Sequence, residues 1–179
     1  MCNYGAGADL CLFRLPSIRS PTHHFRLKIA QRKASKSHAT LPMNSNIICG
    51  GCLCGSVRYE ATGEPYNITH CHCLDCRRSS GAPFVTWASF PRSGFRFITG
   101  PPRELKWAGR QRSFCPLCGT QLTFLTEPNA DEIDVTVCSF DEPATVTPSD
   151  HTWVEDHLPW IRLADNLPSY ARKRPNHPA

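Results

Sequence analysis

Seven of this chain's eleven cysteines fall in three tight groups: Cys52-Leu53-Cys54, Cys71-His72-Cys73-Leu74-Asp75-Cys76 and Cys115-Pro116-Leu117-Cys118. No other feature restricts the fold as strongly. An odd total leaves at least one thiol outside any intrachain disulfide, and no secretory apolar region with a cleavage site precedes the groups. The spacing is that of metal thiolates in a reducing compartment, not of a disulfide scaffold.

The first and third groups combine naturally. Cys115-Pro116-Leu117-Cys118-Gly119 is a knuckle whose turn aims two sulfurs at one ion, with the glycine placed where the backbone bends sharply. Its flanks, Arg112-Ser113-Phe114 and Thr120-Gln121-Leu122-Thr123-Phe124, read as the two strands of a hairpin. A redox dithiol would instead open a helix after a parallel strand. Joined by Cys52 and Cys54, the knuckle completes a closed four-thiolate site that staples the start of the domain to its middle.

The middle group supplies three thiolates. On a strand, Cys71 and Cys73 face the same way, because side chains alternate with a period of two, and Cys76 returns from the next turn. Three protein ligands with one open position is the arrangement of zinc sites that meet a substrate. The same alternation sends His70 and His72 to the opposite face, which makes neither an easy fourth ligand. Cys49 and the histidines stay open for that position. Arg77 and Arg78 are placed to offset the net negative charge of a three-thiolate zinc and to grip a substrate carboxylate; solvated arginines or an ordinary ion pair are the plainer alternative. Trp87, Phe90, Phe97 and Trp107 read as core residues, with Trp87 the best candidate for a pocket wall. Cys138, ending an alternating apolar run, reads as a small buried hydrophobe.

Around these groups the chain is a series of short alternating segments punctuated by glycine and proline. Strands are expected over Ser56–Ala61, Phe84–Phe90, Phe95–Ile98, Glu104–Ala108, Thr120–Leu125, Glu132–Cys138 and His151–Val154. Single helical turns are expected at Asp75–Ser80 and near Ile161–Leu167. The class is mainly β, with metal crosslinks supplying stability that a small core cannot. Residues 47–171 form one domain, followed by a frayed tail at 172–179.

The net charge of +5 suggests a nucleic-acid binder, but its distribution argues against one. Residues 1–46 carry seven basic side chains and one acid, whereas the remainder carries thirteen basic and fourteen acidic ones. The folded part therefore offers no general phosphate-binding surface. Residues 1–46 read as a disordered basic extension; their composition also fits a mitochondrial transit segment. No apolar run is long enough to span a membrane, and the thiols place the protein in the cytoplasm. Cys2 and Cys11 receive no role. Oligomeric state is not legible, and a homodimer stays open.

With their flanks, the cysteine groups resemble a known family. Gly51-Cys52-Leu53-Cys54-Gly55-Ser56-Val57-Arg58-Tyr59-Glu60, Cys71 through Phe84, and Phe114-Cys115-Pro116-Leu117-Cys118-Gly119-Thr120 resemble the glutathione-dependent formaldehyde-activating enzymes, also called the centromere-protein-V family. Phe140-Asp141-Glu142-Pro143, His151-Thr152-Trp153-Val154 and Pro159-Trp160 extend the match to about residues 47–171. The resemblance implies small stacked antiparallel sheets around zinc, similar to the guanine-nucleotide-releasing factor Mss4. It implies two zinc ions per chain: a structural one on Cys52, Cys54, Cys115 and Cys118, and a second on Cys71, Cys73 and Cys76, where glutathione sulfur meets the metal. The implied reaction joins glutathione to formaldehyde as S-(hydroxymethyl)glutathione and is classed, in reverse, as a carbon–sulfur lyase reaction. Arg77, Arg78 and Trp87 are the candidate substrate contacts. Water, His72 and Asp75 all remain open as proton donors. A lyase for a larger electrophile and a non-enzymatic, zinc-stabilised interaction module are the alternatives.

Overall fold

A computed structural model describes residues 46–175. The expectations for residues 1–45, including Cys2 and Cys11, and for residues 176–179 lie outside the described residues. The chain runs through β1 (Ile47–Gly51), β2 (Arg58–Thr62), β3 (Tyr66–Cys71), α1 (Leu74–Ser80), β4 (Val85–Pro91), β5 (Phe95–Thr99), β6 (Arg103–Trp107), β7 (Arg110–Phe114), β8 (Gln121–Thr126), β9 (Glu132–Thr136) and β10 (Asp150–Thr152). One sheet has three strands in the order β1-β2-β5. The other has seven, in the order β10-β3-β4-β9-β8-β7-β6. Every pairing is antiparallel except β10 with β3. The protein is thus predominantly β, as expected, though most strands belong to one broad sheet.

Alternation along the strands decides what each face of the seven-stranded sheet does. On β4, Ala88 and Phe90 join Tyr59, Ala61 and Phe95 of the three-stranded sheet in the main core, with Ile133 and Val135 of β9. Val85 and Trp87 point the other way and pack with Cys71 and Cys76. On β8 the alternation is broken once. Ser113 pairs with Thr123 but Phe114 pairs with Gln121, so Leu122 is an extra residue. Such a bulge shifts the facing of the later residues on its strand: Leu122 and Leu125 both reach the main core, and Phe124 is delivered to the Trp87 side.

Crowding by its cross-strand partner Tyr59 and by the Ser139 backbone demands a residue without a side chain at Gly50. A Cβ there would lie 2.2 Å from the Tyr59 hydroxyl and 2.5 Å from the Ser139 carbonyl oxygen. Tyr59 is fully buried and satisfies its hydroxyl on Ser139 Oγ at 2.6 Å.

Several expectations need correction. The turn near Ile161–Leu167 is not helical. Its surroundings instead serve β10, since the His151 and Tyr170 amides donate to Pro168 and His151 carbonyls respectively; an isolated helical turn has too few hydrogen bonds to compete. Cys138 is exposed, because β9 ends at Thr136 and the chain turns through a short 3-10 segment that buries Val137 instead. Trp107, expected in the core, is 61% exposed on β6, the last strand of its sheet. Arg172 donates to Glu155 and Arg174 to Asp150 and Asn67, so the first residues of the expected tail are tied to the domain.

Candidate metal centres

Cys52 and Cys54 sit in the turn between β1 and β2 of the small sheet, and Cys115 and Cys118 in the turn between β7 and β8 of the large one. Their four sulfurs lie within 4.8 Å of one another and can hold a metal ion. Both turns are built as the spacing predicts. Gly55 and Gly119 have φ of +75° and +74°, a region glycine enters without steric cost. The Gly119 amide closes its knuckle on the Cys115 carbonyl at 2.9 Å, and the Val57 amide donates to Cys52 Sγ at 3.3 Å. The turns also bond to each other, the Leu53 amide donating to Thr120 Oγ1 at 3.1 Å. Thr120 donation to its sulfur brings the Cys118 thiol down to about 5, whereas burial pushes Cys52 up to about 11.

Cys71, Cys73 and Cys76 form the second cluster, with their sulfurs also within 4.8 Å of one another. They converge differently from the expected shared strand. β3 ends at Cys71, and Cys73 is the N-cap of α1, its sulfur accepting from the Cys76 amide at 3.4 Å. Gly81, at φ +68°, terminates the helix by bonding back to the Arg77 carbonyl. Among the described residues, neither Cys49 nor any histidine comes within reach as a fourth ligand; Cys49 lies on β1 opposite Glu60, in the other sheet.

Cys76 Sγ collects donors. The Trp87 indole N–H reaches it at 3.4 Å and an Arg112 guanidinium N–H at 3.9 Å. Hydrogen bonds from the Cys71 and Cys73 thiols, aided by these two groups, hold the Cys76 thiol down to about 3. Cys71 is pushed up for the same reason, since it surrenders its hydrogen bond to those sulfurs and is buried.

The cluster opens onto a cavity of about 670 Å³. Its floor is the outer face of the seven-stranded sheet, from Thr69 and Cys71 through Trp87 and Asp134 to Phe124 and Arg112. α1 and the Trp153–Asp156 segment form the walls. Trp87 is 4% exposed and serves as both core and cavity wall. Trp153 adopts φ +59°, a strained conformation for a bulky residue, and also lines the cavity. Arg77 and Arg78 do not line it. Two arginines of β7 do. Arg112 lies with its guanidinium 4.4 Å from the Phe124 ring centre and 6.0 Å from that of Trp87, and Arg110 pairs with Asp75 at 3.6 Å. Nothing in the motif spacing marks them, because they become neighbours of Cys76 only through the sheet.

Behind the cluster a polar chain runs from buried His72 and His151 out to the exposed Asp165. His151 Nε2 bonds Asp165 at 2.9 Å, and His151 Nδ1 meets His72 Nε2 at 2.9 Å. His151 thus bridges His72 to the Asp165 carboxylate. His72 Nδ1 has no partner among the described residues, like the buried Nε of Arg77. His72 is 0% exposed, and burial, reinforced by its histidine neighbours, lowers its pKa to about 4. His151 and Asp165 escape a reading of the sequence because they lie some eighty and ninety residues beyond His72.

The chain is 28% identical over 75 residues to Uncharacterized lyase C29B12.13 of Schizosaccharomyces pombe, covering 42% of this chain and 55% of that one, so it spans about half the length of this curated relative. A Rhodobacter sphaeroides protein of known crystal structure matches at 20% identity and a TM-score of 0.45, over 68% of this chain and 98% of the other. The family model described as glutathione-dependent formaldehyde-activating enzyme matches residues 47–156, which include both cysteine clusters, and the chain therefore belongs to that family.

Proposed function

We propose that this protein is a zinc-dependent carbon–sulfur lyase of the S-(hydroxymethyl)glutathione synthase type, adding glutathione or a related small thiol to formaldehyde or another small carbonyl compound. The observation that carries this reading is the contrast between the clusters: four sulfurs close one site, whereas three face a cavity. Zinc suits both, because soft thiolates in a tetrahedral set favour it over harder divalent ions. Bound at Cys71, Cys73 and Cys76, zinc would supply a position that holds a substrate sulfur as thiolate near neutral pH.

The chain's own residues then have separable roles. Trp87, Phe124 and Trp153 give the substrate apolar walls. Arg112, with Arg110 beside it, faces the same space and supplies positive charge for an anionic thiol such as glutathione, the role that chain proximity suggests for Arg77 and Arg78. Trp87 and Arg112 also draw charge from Cys76 Sγ, which tempers the electron-richness of an all-sulfur ligand set. Asp75 and Asp156 line the cavity, and as carboxylates they can take the proton that the thiol loses on binding and return it to the alkoxide formed by addition.

A larger electrophile is a second reading, favoured by a volume within the range of about 300–1,000 Å³ typical of ligand pockets. The deciding experiment loads the full chain with zinc and measures glutathione binding by calorimetry and by sulfur coordination at zinc. Formaldehyde and larger aldehydes are then offered with the thiol, and adduct formation is followed by NMR. Saturable thiol binding with catalysed adduct formation is expected. Absence of thiol binding would leave a structural module and overturn the proposal. The thiol-dependent chemistry also suits the reducing cytoplasm.

A further inference from the structure

β6 is the last strand of the seven-stranded sheet, pairing with β7 on one side and with no described strand on the other. All five of its residues are exposed, including Leu105 at 58%. An exposed, unpaired edge is a template for another strand, and proteins commonly blunt it with charged side chains, prolines or short strands. On β6 the charges are of both signs and symmetrically placed. Its sequence, Arg103-Glu104-Leu105-Lys106-Trp107, is complementary to itself read in reverse.

We propose that β6 pairs antiparallel with β6 of a second copy of this chain, about a two-fold axis at Leu105, joining the two large sheets edge to edge. In that register Glu104 stands opposite the partner's Lys106 and Lys106 opposite the partner's Glu104. On the other face, Leu105 meets the partner's Leu105, and Arg103 meets the partner's Trp107. Strand alternation requires this sorting, since residues directly opposite share a face. Opposite charges and a cation on an aromatic ring each favour the pair. Trp107 already accepts one cation in this way, the Arg110 guanidinium lying 5.3 Å from its ring.

The register is pinned from both ends. Pro101 and Pro102 precede Arg103 and offer no backbone N–H to a new partner. After Trp107 the chain reverses at Ala108 and Gly109, with φ of +48° and +71°. The usable edge is therefore residues 103–107, and its centre is Leu105. Glu104 and Lys106 take part in no ion pair among the described residues, so each is available to a partner. Ala108, Gly109 and Arg110 belong to the cavity wall, which places the second subunit close to the cavity rim. A five-residue edge is small, so the dimer is expected to be reversible.

The test is sedimentation velocity on the full zinc-loaded chain from about 5 to about 500 µM, the range where small interfaces assemble. Wild type should move from monomer to dimer across it. Glu104→Lys and Lys106→Glu each set like charges opposite one another twice in the dimer, and each should weaken association about ten-fold. The double variant Glu104→Lys/Lys106→Glu is again self-complementary and should recover the dimer. An equimolar mixture of the two single variants should form a mixed dimer. Both side chains are exposed, so circular dichroism and zinc content should match wild type in every variant. Three results would each overturn the proposal: a monomer at every concentration, single variants that associate like wild type, or a double variant no better than the singles.

Discussion

The two cysteine clusters use the same ligand atom to opposite ends. The four-thiol cluster ties the turn between β1 and β2 to the turn between β7 and β8, and so joins the small sheet to the large one across more than sixty residues. The three-thiol cluster lies within six residues, at one strand end and one helical turn, and opens onto the cavity. A metal in the first closes a long loop and holds two sheets together. A metal in the second closes a loop so short that little chain entropy is at stake. The contrast predicts that sequence separation between ligands, more than their number, sets how much of the fold depends on each metal.

The harshest test of this contrast is Cys118→Ser. Metal binding contributes on the order of 10 kcal/mol to folding of structural zinc domains, comparable to the whole stability of a typical domain at roughly 5–15 kcal/mol. Loss of one ligand from the closed site should therefore remove most of the soluble yield and the β circular-dichroism signal. Cys73→Ser should keep both, lower zinc from two per chain to one, and reduce thiol-dependent activity by about two orders of magnitude. Equal loss of fold in the two variants would make both sites structural.

A smaller effect concerns the polar chain behind the second cluster. His72 is held neutral down to about pH 4 in the fold, against 6.5 for a free imidazole. Between those values the unfolded chain binds the extra proton. Stability is complete above about pH 6.5 and falls as pH drops toward 4, by up to about 3 kcal/mol in total. His72→Gln should flatten that slope relative to wild type when urea midpoints are compared at about pH 7, 5.5 and 4.5. Parallel slopes in the two proteins would place the acid sensitivity elsewhere.

The mildest change is Arg112→Gln, which touches the open cluster without removing a ligand. Both zinc ions and the fold should be retained. The KM for an anionic thiol should rise about ten-fold, while that for a neutral thiol moves little. A uniform change for both thiols would mean that Arg112 acts through Cys76 and not on the substrate.

The cysteine groups and their glycines were legible in the sequence because they are local. A knuckle is set by the turn that contains it, and Gly119 at positive φ is the same statement read from the backbone. Most strands were legible too, because period-two alternation reports a sheet with one buried face. Other features became visible only in three dimensions. Cys71 and Cys73 do not share a strand, because α1 begins at Leu74 and recruits the Cys73 sulfur as its cap. Arg112 reads only as part of a hairpin flank and Arg110 carries no mark in the sequence, and the order of strands is what lays them across the sheet from Cys76. The Leu122 bulge, which sends Phe124 to the cavity, leaves no mark in the pattern of residue types. His72, His151 and Asp165 are joined by the parallel pairing of β10 with β3, a contact between distant segments. Local chemistry chose the ligands and the turns. Which faces meet was decided by strand order and register, and these depend on packing among segments that the sequence keeps far apart.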